Sequence, residues 1–345
     1  MMRKPQDHKA VTLLDVAAAA DVSAITVSRA LRKPEKVSED VRRRVAAAVE
    51  KLGYVPNLAA QALASSRTNV LGVLIPSVTN NVFSDVLHGI YQEVQGTRFQ
   101  VQLGNTRYSA LEEEKLLRIF LSQRPAGLIV SGIDQSDVSR SLLAEANCPV
   151  VQIMEIGPEP VDMMIGFSHR EAARAACEHL VARGYRRIAF VGARMDPRTQ
   201  RRLDGYVDAL EAAGLFDETL VATTPQPSSF TLGGALFADL LSRRPDVDAV
   251  FCNNDDLAVG VLFEAQRRRI TVPGRLGICG FNDFEITRST FPSLTTVVTH
   301  RETIGRNAVT MIAGTLAGTN PLPRVLDVGY EVAARASTGE VSGRR

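Results

Sequence analysis

From Val70 to Gly280, apolar runs of four to six residues alternate with longer amphipathic stretches, and few patterns restrict a fold so severely. The runs are Val70 to Ile75, Phe99 to Gly104, Gly127 to Ser131, Val150 to Met154, Met163 to Gly166, Arg187 to Gly192, Leu220 to Thr223, Ala249 to Asn253 and Gly277 to Gly280. Parallel strands are joined by crossovers, usually helices, that cover both faces of the sheet, so each strand becomes a short, nearly continuous apolar segment. The alternation therefore predicts β-α units around a parallel sheet. Nine strands exceed one simple doubly wound domain. The 345 residues also exceed the roughly 100 to 200 of a typical domain.

Composition removes several function classes. Hydrophobic residues at 45% and charged residues at 23% lie near globular averages, which excludes collagen-like, coiled-coil or largely disordered architectures. Cys148, Cys177, Cys252 and Cys279 form no C-x-x-C and sit in apolar surroundings, so buried thiols are expected rather than zinc ligands or a disulfide frame. The five histidines (His8, His88, His169, His179, His300) lack metal-ligand spacing, and no metal or cofactor is expected. The N-terminus runs into no apolar h-region, and no stretch reaches the roughly 18 apolar residues of a membrane span. The expected compartment is the cytoplasm, with no membrane partner.

The net charge of +2 conceals an asymmetry. Residues 1–67 hold 12 Lys+Arg against 7 Asp+Glu, leaving 28 against 31 for the remainder. A basic head on a mildly acidic body suits a polyanion-binding module joined to something that does not bind polyanions. In that head, Thr12-Leu-Leu-Asp15 has the form of a helix N-terminal cap, with good helix formers from Val16 to Ala20. Asp21-Val22 ends this helix, and Ser23 can cap a second one, Ala24 to Leu31, closed by Lys33-Pro34. Ser38 can cap a third, with Glu39 and Asp40 in its first turn and Val41, Val45, Val49 and Leu52 at helical spacing before Gly53. Its other face carries Arg42, Arg43 and Arg44. Two short helices joined by a tight turn make a helix-turn-helix. Val16, Ala20, Val27 and Leu31 are expected to pack its core.

The runs Thr12-Leu-Leu-Asp-Val-Ala17, Val22-Ser-Ala-Ile-Thr-Val-Ser-Arg29, Val37-Ser38, Gly53-Tyr-Val-Pro-Asn57 and Ala60-Gln-Ala-Leu-Ala64 resemble the head of the lactose/galactose-repressor family. The resemblance implies a second helix in the major groove, with Ala24, Ile25 and Arg29 facing base edges. Arg can form a bidentate pair with guanine, whereas Ala and Ile offer only apolar contact, for instance to a thymine methyl. Ser23, Thr26 and Ser28 are better placed for phosphates, which position without reading sequence, and Thr12 joins the expected DNA contacts. Asn57 to Ala64 spans only two turns, below the roughly 12 to 15 residues at which isolated helices become marginal, so it is expected to be disordered off DNA. The resemblance implies that this hinge folds on the operator, pairs with its dimer mate in the minor groove and wedges Leu63 between base pairs, with Asn57 and Ala60 beside it. The alternative is a plain linker with an incidental Leu.

The resemblance covers essentially the whole chain. It implies a three-helix helix-turn-helix head on an α/β core of two doubly wound subdomains, like periplasmic sugar-binding proteins, with ligand in the cleft. The expected division is 1–54 for the head, 55–67 for the hinge, 68–165 with 295–324 for the first subdomain, 166–294 with 325–338 for the second, and 339–345 as a tail. The chain would cross near Gly166, near Leu294 to Val297 and near Arg324 to Leu326.

Ligands of open α/β sheets lie outside the carboxyl ends of strands. That points to Pro76 to Phe83, Glu155, the segment from Gly192 to Arg202, Asn254-Asp255 and Asn282-Asp283. The third of these carries Arg194, Arg198, Arg201 and Arg202 beside a helix start, a setting that favours an anion. By family position the resemblance implies effector contact for Arg202, matches Asn254 and Asp255 to an Asn-Asp pair after a late strand, and puts Asn282 where Asp is frequent. Losing a carboxylate there suits a sugar acid. The segments Val78 to Phe83, Gly192 to Thr199 and Phe251 to Gly260 look most like the gluconate-type branch, so gluconate or 2-ketogluconate is the expected effector. The expected contacts are Pro76, Phe83, Glu155, Arg198, Arg202, Asn254 and Asn282. The bland alternatives are an Asp255 that only caps the following helix, a Glu155 in a solvated loop, and surplus arginines as surface charge. A neutral sugar or another small metabolite is the alternative effector.

An enzyme is not expected. Pro76-Ser-Val-Thr-Asn-Asn81, after the first strand, has no G-x-G-x-x-G, and neither H-E-x-x-H, G-x-S-x-G nor a Walker A motif occurs. A sugar-binding transport protein would share the core but need a signal peptide in place of the basic head. The expected function is effector-controlled repression by a homodimer on a pseudo-palindromic, double-stranded operator. No leucine heptads follow Ser337 to tether a tetramer.

Overall fold

The computed structural model describes residues 11–32, 34–54, 68–319 and 322–339. The expected hinge contacts Asn57, Ala60 and Leu63 lie outside the described residues. The chain forms two compact units, Met1–Thr68 and Asn69–Arg345.

The first unit holds α1 (Leu13–Ala20), α2 (Ala24–Arg32) and α3 (Glu39–Leu52). Thr12 and Asp15 form a reciprocal capping box: Thr12 Oγ1 accepts the Asp15 N–H at 3.3 Å, and the Asp15 carboxylate accepts the Thr12 N–H at 2.8 Å. Ser23 Oγ accepts the Thr26 N–H at 3.2 Å, and Ser38 caps α3. Asp21 and Gly53, both left-handed, end α1 and α3. Val16, Ala17, Ala20, Val27, Ala30, Val45, Ala48 and Tyr54 are buried together. Leu31, expected in this core, is 36% exposed. Ala30, three residues after Val27, takes the inward position and turns Leu31 to the rim. Arg44 does not stay on an open charged face either. Its Nη1 donates to the carbonyls of Ala20 (3.1 Å) and Asp21 (3.4 Å), groups that the end of α1 leaves without helical partners.

The second unit begins β1 (Val70–Ile75), α4 (Asn81–Val94), β2 (Gln100–Asn105), α5 (Ala110–Ser122), β3 (Gly127–Ser131), α6 (Asp137–Ala144), β4 (Val150–Ile153) and β5 (Met163–Gly166). It continues with α7 (His169–Ala182), β6 (Ile188–Ala193), α8 (Pro197–Ala212), β7 (Val221–Thr224), α9 (Phe230–Arg243), β8 (Ala249–Cys252), α10 (Asp255–Arg267), β9 (Gly277–Cys279) and α11 (Ile286–Ser289). It closes with β10 (Thr296–Val298), α12 (Arg301–Ala317), β11 (Val325–Asp327) and β12 (Glu331–Ala333). Each of the nine apolar runs is a strand, with bounds within one residue of the pattern.

Two parallel sheets result, ordered β11-β5-β4-β3-β1-β2 and β7-β6-β8-β9, together with an antiparallel pair, β10-β12. Strand order reverses beside β1 in the first sheet and beside β6 in the second, and crevices open at the carboxyl ends of strands at such points. Two features depart from the expected division. Val325–Asp327 pairs in parallel with Met164–Gly166, so the last crossing follows Asp327 and not Arg324 to Leu326. Thr295 and Val298 bridge Cys279 and Asn282, so residues 295–298 run beside the second sheet. Three-residue strands carry too little periodicity to mark such boundaries. On the first sheet, α4 and α12 pack closely enough that a Cβ at Gly89 would lie 2.1 Å from the Glu302 carbonyl oxygen, and one at Gly305 2.0 Å from that of Val86. Cys177, Cys252 and Cys279 are buried. No helix among the described residues is long and apolar enough to cross a membrane.

Candidate functional site

Two surfaces carry the residues singled out by sequence. On α2, Val27 and Ala30 point inward, so Ile25 and Arg29, four residues apart, share the exposed side. Ile25 is 71% exposed. Ala24 and Ser28 are half-buried beside them. The Ser23 and Thr26 hydroxyls lie 2.8 Å apart at the helix start, and the Thr12 hydroxyl bonds to the Asp15 carboxylate at 2.7 Å. On α3, Arg42 and Arg43 are exposed and pair with Glu39 and Asp40.

The second surface is a cavity at the strand ends of both sheets. The first sheet contributes Asn80, Val82, Phe83, Tyr108 and Met154; the second contributes Ala193, Arg194, Asp196, Arg198, Thr199, Arg202, Ser228, Asn253, Asn254, Asp256, Asn282 and Phe284. Of the expected effector contacts, Phe83, Arg198, Arg202, Asn254 and Asn282 line it. Pro76 and Glu155 do not. Pro76 ends β1 short of the wall. Met154 reaches the cavity, while the next residue, Glu155, turns inward and is 2% exposed.

Arg202 comes from the second turn of α8, which starts at Asp196 as cap with Pro197 next, a setting that orients the helix over β6. It is 7% exposed, and among the described residues no carboxylate oxygen lies within 4 Å of its guanidinium. Its Nε donates to His169 Nδ1 at 3.1 Å, one Nη donates to the Asn253 carbonyl, and the guanidinium stacks 3.9 Å from the centre of the Phe281 ring. Burial pushes this arginine down to about 9, partly offset by Asp196, so it remains a cation at neutral pH. His169 lies 2.8 Å from the Met154 carbonyl through Nε2. Donating there while accepting from Arg202 fixes a neutral imidazole, and burial together with the surrounding arginines holds it well below its ordinary value.

Around this cation, Arg198 pairs with Asp196 at 3.2 Å, reaches Ser131 Oγ at 3.4 Å and lies over Phe83. Burial acts to raise the Asp196 carboxyl, but Arg198 and the Thr199 N–H outweigh it and hold it below the usual range. Arg194 stacks on Tyr108 at 4.1 Å. Arg201 leaves the cavity to fork onto Asp134, at 2.8 and 2.5 Å. Glu155 accepts the N–H groups of Ile156 and His169, its second oxygen finds no hydrogen-bond partner among the described residues, and Arg201 stands 3.8 Å away. Burial raises its carboxyl to about 7. It is therefore neither a solvated loop residue nor part of the cavity wall.

Asn254, not Asp255, caps α10 by accepting the Leu257 N–H at 3.1 Å. Asp255 is buried behind it, with burial raising it to about 6, and holds the Phe284 N–H at 2.8 Å and the Thr296 hydroxyl at 2.6 Å. Sequence reasoning missed Tyr108 and Ser228, which come from loops with no periodic signal, and Asp256 and Phe284, each one residue beyond a pair that was singled out. Arg194 and Asp196 lay inside a segment already singled out, where strand-end position cannot rank neighbours. The cavity thus offers the guanidinium groups of Arg194, Arg198 and Arg202, the carboxylates of Asp196 and Asp256, of which Asp196 is paired with Arg198, and amides and hydroxyls around them, a set that can hold a small polar ligand with an anionic group at Arg202.

Residues 12–57 match the model of bacterial regulatory proteins of the lacI family, and residues 177–338 that of the periplasmic binding protein-like domain. The HTH-type transcriptional regulator GntR of Pseudomonas aeruginosa is 42% identical over 327 residues, covering 95% of each chain. A crystal structure of a LacI-family transcriptional regulator from Silicibacter pomeroyi matches with a TM-score of 0.89 at 38% identity, covering 95% of this chain and 99% of that one. The lac repressor dimer bound to operator and the anti-inducer ONPF matches with a TM-score of 0.82 at 25% identity, covering 96% and 100%.

Proposed function

Because the chain belongs to the lacI family of bacterial regulatory proteins and is an effector-controlled, DNA-binding transcription repressor, we propose that its effector is a sugar acid, gluconate or 2-ketogluconate, bound in the cleft. The observation that carries this reading is Arg202: a buried cation with no carboxylate partner among the described residues, facing a cavity. A buried charge is costly unless paired, and an incoming carboxylate supplies the pair. Arg198, Asn254 and Asn282 hold the rest of the ligand in this reading, while Pro76 and Glu155 act from behind the wall. The head reads its operator through Ala24, Ile25 and Arg29, with Thr12, Ser23, Thr26 and Ser28 near the phosphates and Asn57, Ala60 and Leu63 in the minor groove.

Control follows from the two-sided cavity. A ligand held by residues of both sheets binds one relative arrangement of the two lobes better than another, and only such differential affinity shifts a conformational equilibrium. If that arrangement is the one that cannot hold two hinges on the operator, the effector releases DNA. The proposed assembly is a homodimer on a pseudo-palindromic site; the solved lac repressor is described as a dimer on its operator. Calorimetry of the full chain with gluconate, 2-ketogluconate, a neutral hexose and a purine tests the effector. Saturable binding of a sugar acid alone is expected, and tight binding of only the neutral sugar or the purine overturns it.

A further inference from the structure

Behind the cavity wall stands an arginine that the sequence did not single out. Asn282 and Asp283 are consecutive non-glycine residues with φ of 117° and 57°; Asp adopts the second readily, whereas the first lies outside the left-handed well and persists only where the surroundings impose it. In this conformation Asn282 lines the cavity, 2% exposed, and its side-chain Oδ1 has no hydrogen-bond partner among the described residues. An unpaired buried carbonyl oxygen beside a cavity is an acceptor waiting for a hydroxyl.

We propose that Arg301 is a positioning residue for effector recognition, acting through Asn282. Arg301 is the first residue of α12 and is 8% exposed. Its Nε and one Nη donate to Asp85 on α4, at 2.9 and 2.6 Å. The other Nη donates to the Asn282 carbonyl and, at 2.7 Å, to Thr299 Oγ1. Its guanidinium also lies 5.2 Å from the centre of the Phe284 ring, itself part of the wall. Asp85 belongs to the helix whose cap, Asn80, and first turn, Phe83, line the opposite side. One guanidinium therefore ties the first-sheet wall to the strained loop of the second. Arg301 does not itself line the cavity. A lysine could keep the ion pair to Asp85 but lacks the fork that reaches both partners.

The proposal rests on reading the cleft as the effector site. The test is a double-mutant cycle on the full chain, with D-gluconate affinity measured by calorimetry. Arg301→Gln is expected to raise the gluconate Kd about tenfold in the wild-type background and less than about twofold in an Asn282→Ala background, since the two act as one unit. Equal weakening in both backgrounds overturns the proposal. Where Arg301→Gln fails to fold, Arg301→Lys enters the same cycle. A second readout needs no ligand: hydrogen exchange of residues 281–285 is expected to be faster in Arg301→Gln than in wild type, while the rest of the core is unchanged. Unchanged exchange there also overturns the proposal. Should the wild-type chain not bind gluconate, the effector reading fails, and the exchange experiment still decides the role of Arg301.

Discussion

Arg29 stands exposed on α2, one helical turn from an Ile25 that is 71% exposed, whereas Arg202 is 7% exposed and bonded to a histidine and a backbone carbonyl. The residues proposed to read DNA stand in water, where their identity hardly affects folding and can change with the operator. The residues proposed to hold the effector lie inside, where each is held by another and a change spreads to its neighbours. Surface recognition is close to modular, and buried recognition is not.

The largest expected effect lies in the cleft. Arg202→Met should weaken gluconate binding roughly a hundredfold or more, about 3 kcal/mol, because it removes a buried guanidinium of the wall that has no carboxylate beside it among the described residues. Operator affinity without effector should stay within about twofold. Undiminished gluconate binding would sink the contrast at its centre.

Glu155 is next. Its carboxyl, ordinarily near 4.5, is raised to about 7 by burial, so the folded chain binds its proton more tightly than the unfolded chain. Below about pH 4.5 both states are protonated and burial is not penalised; as pH rises towards 7 that stability is lost, and above 7 the loss is complete. Glu155→Gln, which cannot ionise, should therefore gain on wild type by about 2 kcal/mol between pH 5 and pH 8 in urea unfolding. A difference that does not vary with pH would mean that Arg201 keeps Glu155 ionised.

In the head, Arg29→Ala should cost about 1–3 kcal/mol of operator binding in gel-shift titrations at fixed salt, on a site recovered by selection from random DNA. Gluconate affinity should not move; if it does, the head is not modular. The smallest effect is that of Ile25→Ala, expected to change stability by less than about 0.5 kcal/mol while relaxing the preference at one base pair of the half-site.

The contrast also explains what was legible. The head could be read nearly residue by residue, because caps and helix faces depend on neighbours three or four positions away; Thr12 with Asp15 is such a pair. Its misplacements were Leu31, which fell at the rim where an adjacent Ala30 can take the inward position, and Arg44, which turns to the carbonyls at the end of α1. In the core, strand positions were legible because burial on both faces leaves continuous apolar runs. The strands β10, β11 and β12 were not, since each is three residues long and partly exposed, whereas the equally short β9 is fully buried.

The chain by itself determined a basic, capped three-helix head, a parallel α/β core and an arginine-rich strand end. Those follow from local spacing and from the need to bury apolar surface. Only the tertiary structure decided that Arg202 faces the cavity while Arg201 turns to Asp134, that Met154 lines the wall while Glu155 is buried behind it, and that Arg301 reaches Asn282. The reason is that a cavity wall is assembled from strand ends far apart in sequence. Which side of a residue faces the cavity depends on the register and twist of two sheets, and no stretch of four residues encodes that.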